Sequence, residues 1–575
     1  MRTVNIEKAS ADFADFKYAW LAAGLVTLAA VAERAWLLFS TPLVPGINGA
    51  YYMVQARALL EQGRLGIPDL PLTFCVDAAL AKLIQLVSGV SLEASIMLAV
   101  KLEDSILPAL VALPVFALVR RWNARNGAGL WLPMCAALAV AGGAPALGMV
   151  GDFQKNSLGL VWLAALLWRL HVWLELSTPK NAALAVLLLA LTGVTHIGVF
   201  GWALVLVGLA MVVALARCDA AARRKILPWL FAGGAVCALA ATLVLWKFDP
   251  ARVQRLASAV AHPLAYLGND QGKRGNAPKF TPPNQAPAGQ TDFRAQFPPG
   301  SDQNNFRPRG GGPMQFGRFN WLSSAAFLTV AVGALVAVWL RRKVLSAGDV
   351  AVVVGVALGL AALGGPWVTG DKVMRFGLIA VGPAVVVTAF ALAQIPWPKL
   401  RNALMTVIAA ALVGAGVFRI KDGGRPVITL AAADELRALA GEISAPQKSL
   451  VVARHGLEWW TAWYLHTHIA HADVVKDSDW QDYAQVFFLR QKAGAQMPFG
   501  PRSGGGQGPS DGRGQNFPPR GGPPGGGAFG EPMIPRGANI THDGECFTLA
   551  LVRTPPQKFG GMEQAFRPPP PGDFP

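Results

Sequence analysis

The chain has 575 residues, 53% of them hydrophobic and only 15% charged, with a net charge of +17 and a mean hydropathy of +0.38. That balance excludes an ordinary soluble domain, since several nearly uncharged stretches run about 17–25 residues, enough to cross a hydrocarbon core. It also removes nucleic acid as the reason for the basic charge: Lys and Arg flank apolar stretches on one side, as in membrane proteins.

The pattern predicts an all-α polytopic transmembrane domain followed by a small α/β domain. Residues 1–17 read as a polar cytoplasmic N-terminus. The run that follows, 18–40, is too long for a cleavable signal and lacks a cleavage site. Ten further spans are expected at 94–119, 129–150, 157–176, 181–195, 197–216, 226–247, 321–340, 350–367, 373–394 and 400–418. The basic clusters 120–125, 217–225, 341–343 and 398–401 then fall on one side. By the positive-inside rule that side is cytoplasmic, which puts everything after about residue 419 outside.

Three segments become external: 41–93, 249–320 and everything after about residue 419. The loop 41–93 is too long for a connector and carries two amphipathic stretches, 49–63 and 69–89, suited to the membrane surface. The segments 268–319, 493–537 and the tail 555–575 are rich in Gly, Pro, Gln, Asn and Arg. They hold too little apolar surface to offset the entropy of ordering and read as disordered inserts. Between 427 and 554, helices at 433–443 and 457–471 alternate with strands at 449–456, 484–491 and 546–554, the signature of an α/β domain.

Polar groups then appear where they are costly. Glu33 and Arg34 in the first span, and Lys101, Glu103 and Asp104 in the second, lie at matched depth, either as a structural ion-pair cluster or as part of a site. "GDFQKN" (151–156) places Asp152, Lys155 and Asn156 at the external end of the third and fourth spans. Asp152 is a natural helix cap, but a cap leaves Lys155 and Asn156 unexplained. His196 and the run Asp371, Lys372, Arg375 reach the same face. Cations there suit a phosphate-linked substrate. A carboxylate can act as a base or hold a divalent metal such as Mg or Mn; the sequence leaves the cofactor open.

Other motifs weigh less. The five cysteines are scattered, with no CxxC, and imply neither a zinc site nor a disulfide framework. His455, His466, His468 and His471 lack a completing Cys or carboxylate. The run Trp459, Trp460, Trp463 and Tyr464 reads as the core face of a helix, a membrane landing or a sugar platform.

In its order and sidedness the chain resembles the GT-C-fold membrane glycosyltransferases, which include oligosaccharyltransferase catalytic subunits, protein O-mannosyltransferases and the aminoarabinose transferase of lipid A. The likeness rests on residues 45–72 as a first external loop, with Asn48, Tyr51 and Arg57 on it. It rests also on "GDFQKN" as the second-loop acidic motif, and on "DKVMRF" as the late Arg that meets lipid-linked phosphate. The resemblance implies an integral, multi-pass protein of a bacterial inner membrane. Its partners would be membrane lipids, a polyprenyl-phosphate or pyrophosphate sugar donor, and an extracytoplasmic glycan, lipid or protein acceptor. One position departs: where such enzymes present a first-loop acid, this chain has Asn48, and an amide cannot take a proton at neutral pH. Glu33, Asp69 or Asp104 then serves as base, or transfer is lost. The competing classes are a lipid-linked-sugar flippase or transporter, and a non-catalytic scaffold.

Overall fold

The computed structural model describes residues 6–124, 129–248, 314–368, 371–421, 423–471, 475, 479–492, 532–535 and 537–555. The expected inserts and the tail lie almost wholly outside these residues. Residues up to Arg425 form one compact unit and those from Pro426 another.

The first unit is helical throughout. Its elements are α1 (Ile6–Phe39), α2 (Gly49–Gln62), α3 (Leu72–Ser88), α4 (Leu92–Ile106), α5 (Ala112–Ala124), α6 (Trp131–Ala141), α7 (Ala144–Leu147), α8 (Gln154–Leu176), α9 (Pro179–Thr195), α10 (Ile197–Arg217) and α11 (Ala220–Phe248). After them come α12 (Met314–Arg341), α13 (Ala347–Gly364), α14 (Asp371–Ala393) and α15 (Pro398–Lys421). Among the described residues nine helices are long and apolar enough to cross a membrane; Trp131–Leu147 and Pro179–Thr195 are shorter apolar helices. With those two, each of the eleven expected spans has a helical counterpart. The protein is an integral, multi-pass membrane protein. α4 and α5 make one long kinked span, with Pro108 opening the 3-10 turn between them. The expected span 129–150 is broken between α6 and α7 at Gly142 and Gly143. α12 starts at Met314, so the last residues of the 268–319 insert are helical.

The core is a close-packed seam of small and branched side chains. It allows α10 and α13 to run antiparallel at short range, because Gly355 lies on Ala210 and Gly359 on Leu206, with no room for a Cβ at either glycine. The same alternation gathers the basic clusters. Arg121 at the end of α5 bonds Glu175 near the end of α8, and Ser346 before α13 bonds the same carboxylate. Arg341 at the end of α12 donates to the carbonyl of Gln394 after α14. Because α10 and α13 are antiparallel, Arg217 comes to the start of α13. One end of the bundle is therefore the basic end; the other carries the loops around 41–48 and 148–155.

The second unit is a small α/β domain. It contains α16 (Leu430–Leu439), β1 (Ser449–Ala453), α17 (Leu457–Leu465), β2 (His468–His471), α18 (Asp479–Asp482), β3 (Gln485–Gln491), β4 (Asn539–Asp543) and β5 (Phe547–Leu551). The sheet order is β2-β1-β3-β5-β4. β1 pairs parallel with β2 and β3, whereas β5 pairs antiparallel with β3 and β4. The expected helix 457–471 is corrected: it stops at His466, whose φ of +54° is left-handed, and residues 468–471 form β2. His468 and His471 therefore do not share a helical face. Trp459, Trp460, Trp463 and Tyr464 are all buried, in keeping with a core helix.

Candidate functional site

The loop end of the bundle is built by two short segments pressed together backbone to backbone. After α1, Lys101 of α4 holds the chain by donating from Nζ to the carbonyls of Thr41 (2.6 Å) and Pro42 (3.0 Å). Gly46 (φ +90°) and Gly151 (φ +79°) both sit in the left-handed region, where a side chain is strained. A Cβ on Gly46 would stand 2.7 Å from Asp152 Oδ1, and one on Gly151 would collide with the Pro45 carbonyl.

That approach decides what Asp152 does. Its Oδ1 accepts the backbone N–H of Asn48 at 2.9 Å, just before α2, and the Tyr52 hydroxyl lies 3.4 Å from its carbonyl oxygen. It does not cap α8. The cap residue is Phe153, with no side-chain hydrogen bond, and α8 begins at Gln154. The helix-cap reading of Asp152 is corrected accordingly. Asn48, where an acid was expected, contributes its main chain to the placement of Asp152.

Asp104 supports this loop from below. Arg34 of α1 forms a buried ion pair with one oxygen, and its Nε and Nη1 donate to the carbonyls of Asp104 (2.6 Å) and Ala146 (3.0 Å). The other oxygen, Oδ2, accepts the Gly151 N–H at 2.7 Å. A buried charge pair is tolerable when its remaining hydrogen-bonding capacity is filled, and here the filling group is the residue next to Asp152. Glu33, one residue from Arg34, is turned elsewhere: its carboxylate packs against Gly142 at the end of α6.

Lys155, in the first turn of α8, is the cation of the junction. Its Nζ forms an ion pair with Asp69 Oδ2 and lies 5.4 Å from the Tyr51 ring and 5.3 Å from the Phe74 ring, within cation–π range. The Tyr51 hydroxyl donates to the same Asp69 oxygen. Gln55, one helical turn along α2, donates to the Tyr51 oxygen at 3.2 Å and clamps Ile67 through both its amide atoms. Burial, and then the Asp69 charge, push the Tyr51 phenol well above its ordinary range. Sequence reasoning named Tyr51 and Lys155 and gave Asp69 only as an alternative base. It missed Gln55 and Phe74, although Tyr51 and Gln55 stand four apart on one helix face.

Further polar side chains are buried around this junction. Asn156 is 3% exposed and Asp77 on α3 is 0% exposed; Asn156 Nδ2 and both Asp77 oxygens lack a hydrogen-bond partner among the described residues. Burial, reinforced by the Asp104 charge, drives the Asp77 carboxyl well above the usual carboxylate range. Arg57 is also buried on α2, and burial pulls its guanidinium below its ordinary value against the opposing pull of Glu61 and Glu93. His196 joins α9 to α10, and its Nδ1 accepts the Val199 N–H at 3.2 Å, so a capping role accounts for it. Lys372 and Arg375 lie half-buried in the opening turns of α14; the next residue, Phe376, packs edge-on to Trp202 of α10 at 6.0 Å.

The arrangement offers two carboxylates, an ammonium and a phenol at one junction. It can hold an anion at Lys155 and accept a proton at Asp152 or Asp69. Among the described residues, the single set of three His, Asp or Glu ligand atoms close enough for one metal ion is His171, Glu175 and Asp349, at the basic end and not here.

No family model matches the chain, and no curated protein matches its sequence. Solved structures do show a likeness. The oligosaccharyltransferase of Archaeoglobus fulgidus, crystallised with Zn and sulfate, is similar at 15% identity and a TM-score of 0.47 over 77% of this chain, which spans 62% of that protein's length. The archaeal oligosaccharyltransferase AglB of the same organism, in complex with an inhibitory peptide and a dolichol-phosphate, is similar at 14% identity and a TM-score of 0.46, over 79% of this chain and 64% of that one. ArnT from Cupriavidus metallidurans bound to undecaprenyl phosphate is similar at 11% identity and a TM-score of 0.44, over 94% of this chain and 99% of that one. These are distant likenesses, each with a TM-score below 0.5.

Proposed function

We propose that the chain is a membrane glycosyltransferase that moves a sugar from a polyprenyl-phosphate carrier to an acceptor at the loop end of the bundle. The single observation that carries this reading is the junction itself: Lys155, Asp69 and Tyr51 meet beside Asp152, at the mouth of a helix bundle sized for a bilayer. An ammonium at a helix N-terminus is a ready site for phosphate. A carboxylate within the same junction can take the proton of an incoming hydroxyl.

In the reaction the acceptor oxygen bonds to the anomeric carbon as the bond from that carbon to the phosphate oxygen breaks. The acceptor proton goes to a carboxylate, and the electron pair leaves with the phosphate. Asp152, held by the Asn48 N–H, is the base of first choice. Asp69 is the second, freed when a phosphate takes its place on Lys155. Lys155, with Arg375 and Lys372 from α14, offsets the charge that grows on the leaving phosphate. Asp104 acts through Gly151 as a positioning residue.

We assign the loop end to the outside, because the basic end is the one the positive-inside rule keeps in the cytoplasm. Membranes containing the protein, supplied with radiolabelled polyprenyl-phosphate sugars, should transfer label to an acceptor, and Asp152→Asn should stop it. Label that crosses the membrane without leaving its carrier would instead identify a flippase, and the transferase reading would fall.

A further inference from the structure

Gln55 is fully buried on α2, and one backbone unit fixes the orientation of its amide. The Ile67 N–H donates to Gln55 Oε1 at 3.1 Å, and Gln55 Nε2 donates to the Ile67 carbonyl at 2.9 Å. Turning the amide over would set donor against donor at one contact and acceptor against acceptor at the other. The second N–H of Nε2 then points at the Tyr51 oxygen, 3.2 Å away and one helical turn earlier. With a lone pair taken up by Gln55, the single phenolic proton goes to Asp69 Oδ2.

Tyr51 is thereby made a donor. Burial, and then the Asp69 charge, hold its phenol well above the ordinary range, so it stays protonated. Lys155 sends its ammonium to the same Asp69 oxygen, and an ammonium has donors alone. Two groups of fixed polarity, one from α2 and one from α8, thus converge on one point. The carboxylate at that point belongs to a short loop. Its other oxygen, Oδ1, accepts the Leu70 N–H at 2.7 Å, so Asp69 is braced by its own chain and presents Oδ2 to the pair. The Lys155 side chain is 14% exposed, so moving the Asp69 side chain opens both donors to an incoming group.

We infer that Tyr51 and Lys155 form an oxyanion subsite, that the Asp69 carboxylate occupies it at rest as an internal competitor, and that Gln55 is the positioning residue that commits Tyr51 to donate. The inference rests on the transferase reading for its ligand, a phosphate oxygen of the lipid carrier, which takes the place of Asp69 Oδ2. Two donors aimed at the oxygen on which charge grows stabilise a leaving phosphate. Gln55 acts at one remove, through the Tyr51 hydroxyl and through Ile67, two residues before Asp69. A phenol held in this way does not take a proton, which leaves the role of base to the carboxylates.

The test uses the full chain, purified in detergent, with undecaprenyl phosphate as the probe. Its dissociation constant is read by equilibrium binding, with thermal unfolding alongside. Tyr51→Phe keeps the ring against Phe74 and Lys155 but loses the hydroxyl, and should weaken binding about tenfold or more. Gln55→Glu, ionised or protonated, lacks the second N–H that the Tyr51 oxygen accepts, and should weaken binding too. Asp69→Asn removes the competing charge and should tighten binding by about tenfold. A purely structural network gives the opposite sign there, because the lost ion pair loosens the junction. Weaker or unchanged binding by Asp69→Asn would overturn the internal competitor, and wild-type binding by Tyr51→Phe would overturn the two-donor subsite. Failure of both wild type and Asp69→Asn to bind the probe would overturn it as well. The expected binding pattern without transfer of labelled sugar by wild type would leave the subsite standing and remove the transferase reading instead.

Discussion

The carboxylate of Asp152 accepts the main-chain N–H of Asn48 at 2.9 Å, across 104 residues of sequence. Asn at 152 retains an oxygen that can accept this bond, but it loses the charge. Asp152→Asn should therefore express and unfold like wild type while losing transfer. Asp152→Ala also leaves the Asn48 N–H unpaired, at a cost of about 1–3 kcal/mol. Detergent-purified protein unfolded by heat, with transfer measured alongside, separates the two effects. Full transfer by Asp152→Asn would reduce the residue to a clasp between loops.

Gly46→Ala and Gly151→Ala should each be far more damaging than their size suggests. A left-handed residue costs about 1–2 kcal/mol with a Cβ, and here the added atom also meets Asp152 or the Pro45 carbonyl. Both variants should lower Tm and raise the KM for donor. Gly63→Ala, whose φ is +69° but which has open space around it, is the control. If all three behave alike, backbone strain alone is at work and the two loops are not in tight register.

Arg34→Met should destabilise the membrane unit by about 3–5 kcal/mol, the usual cost of stranding one member of a buried pair. Arg34→Met combined with Asp104→Leu removes both charges and should recover part of that loss in folding. It should not recover transfer, because Asp104→Leu removes the acceptor of the Gly151 N–H. Expression level and thermal unfolding read the first effect, and the transfer assay reads the second.

The C-terminal unit should carry an acid-labile lock. Burial pulls the Glu435 carboxyl upward, but the N–H groups of Cys546 and Phe547 and the His542 ring outweigh it and hold the group below its ordinary range. A depressed carboxyl contributes stability that is fully present above its unfolded value, near 4.5, and is lost as pH falls through the folded value. Hydrogen exchange of β5 in the full chain should therefore quicken below about pH 4.5, and Glu435→Gln should flatten that dependence.

The helical layout was legible because span length and charge sidedness are local properties of sequence. Where a local rule failed, a particular residue accounts for it. His466 breaks its helix in a left-handed conformation without being Gly. β4 was missed because "NITHD" is a mostly exposed edge strand with a bulge at 540/542 and offers no apolar alternation. At the site, Asp152 and Lys155 announced themselves as polar residues at span edges, and Tyr51 came only with the first-loop resemblance. Their partners did not. The Asp104–Gly151 and Asp152–Asn48 bonds end on main-chain N–H groups, which every residue type carries, so no side-chain pattern encodes them. The His171–Asp349 pairing spans 178 residues and is equally silent.

A single Asp69 oxygen receives both the Tyr51 hydroxyl and the Lys155 ammonium. The junction is thereby self-neutralised at rest, and on the proposed transferase reading an arriving phosphate must compete with an ion pair already in place. A free sugar phosphate, dilute in water, competes poorly. A phosphate tethered to a chain buried in the same bilayer arrives at a fixed depth and at an effective concentration set by its anchor. Selection for a lipid-borne donor then needs no pocket that reads the lipid: the tether supplies by proximity what the resting ion pair denies to anything in solution.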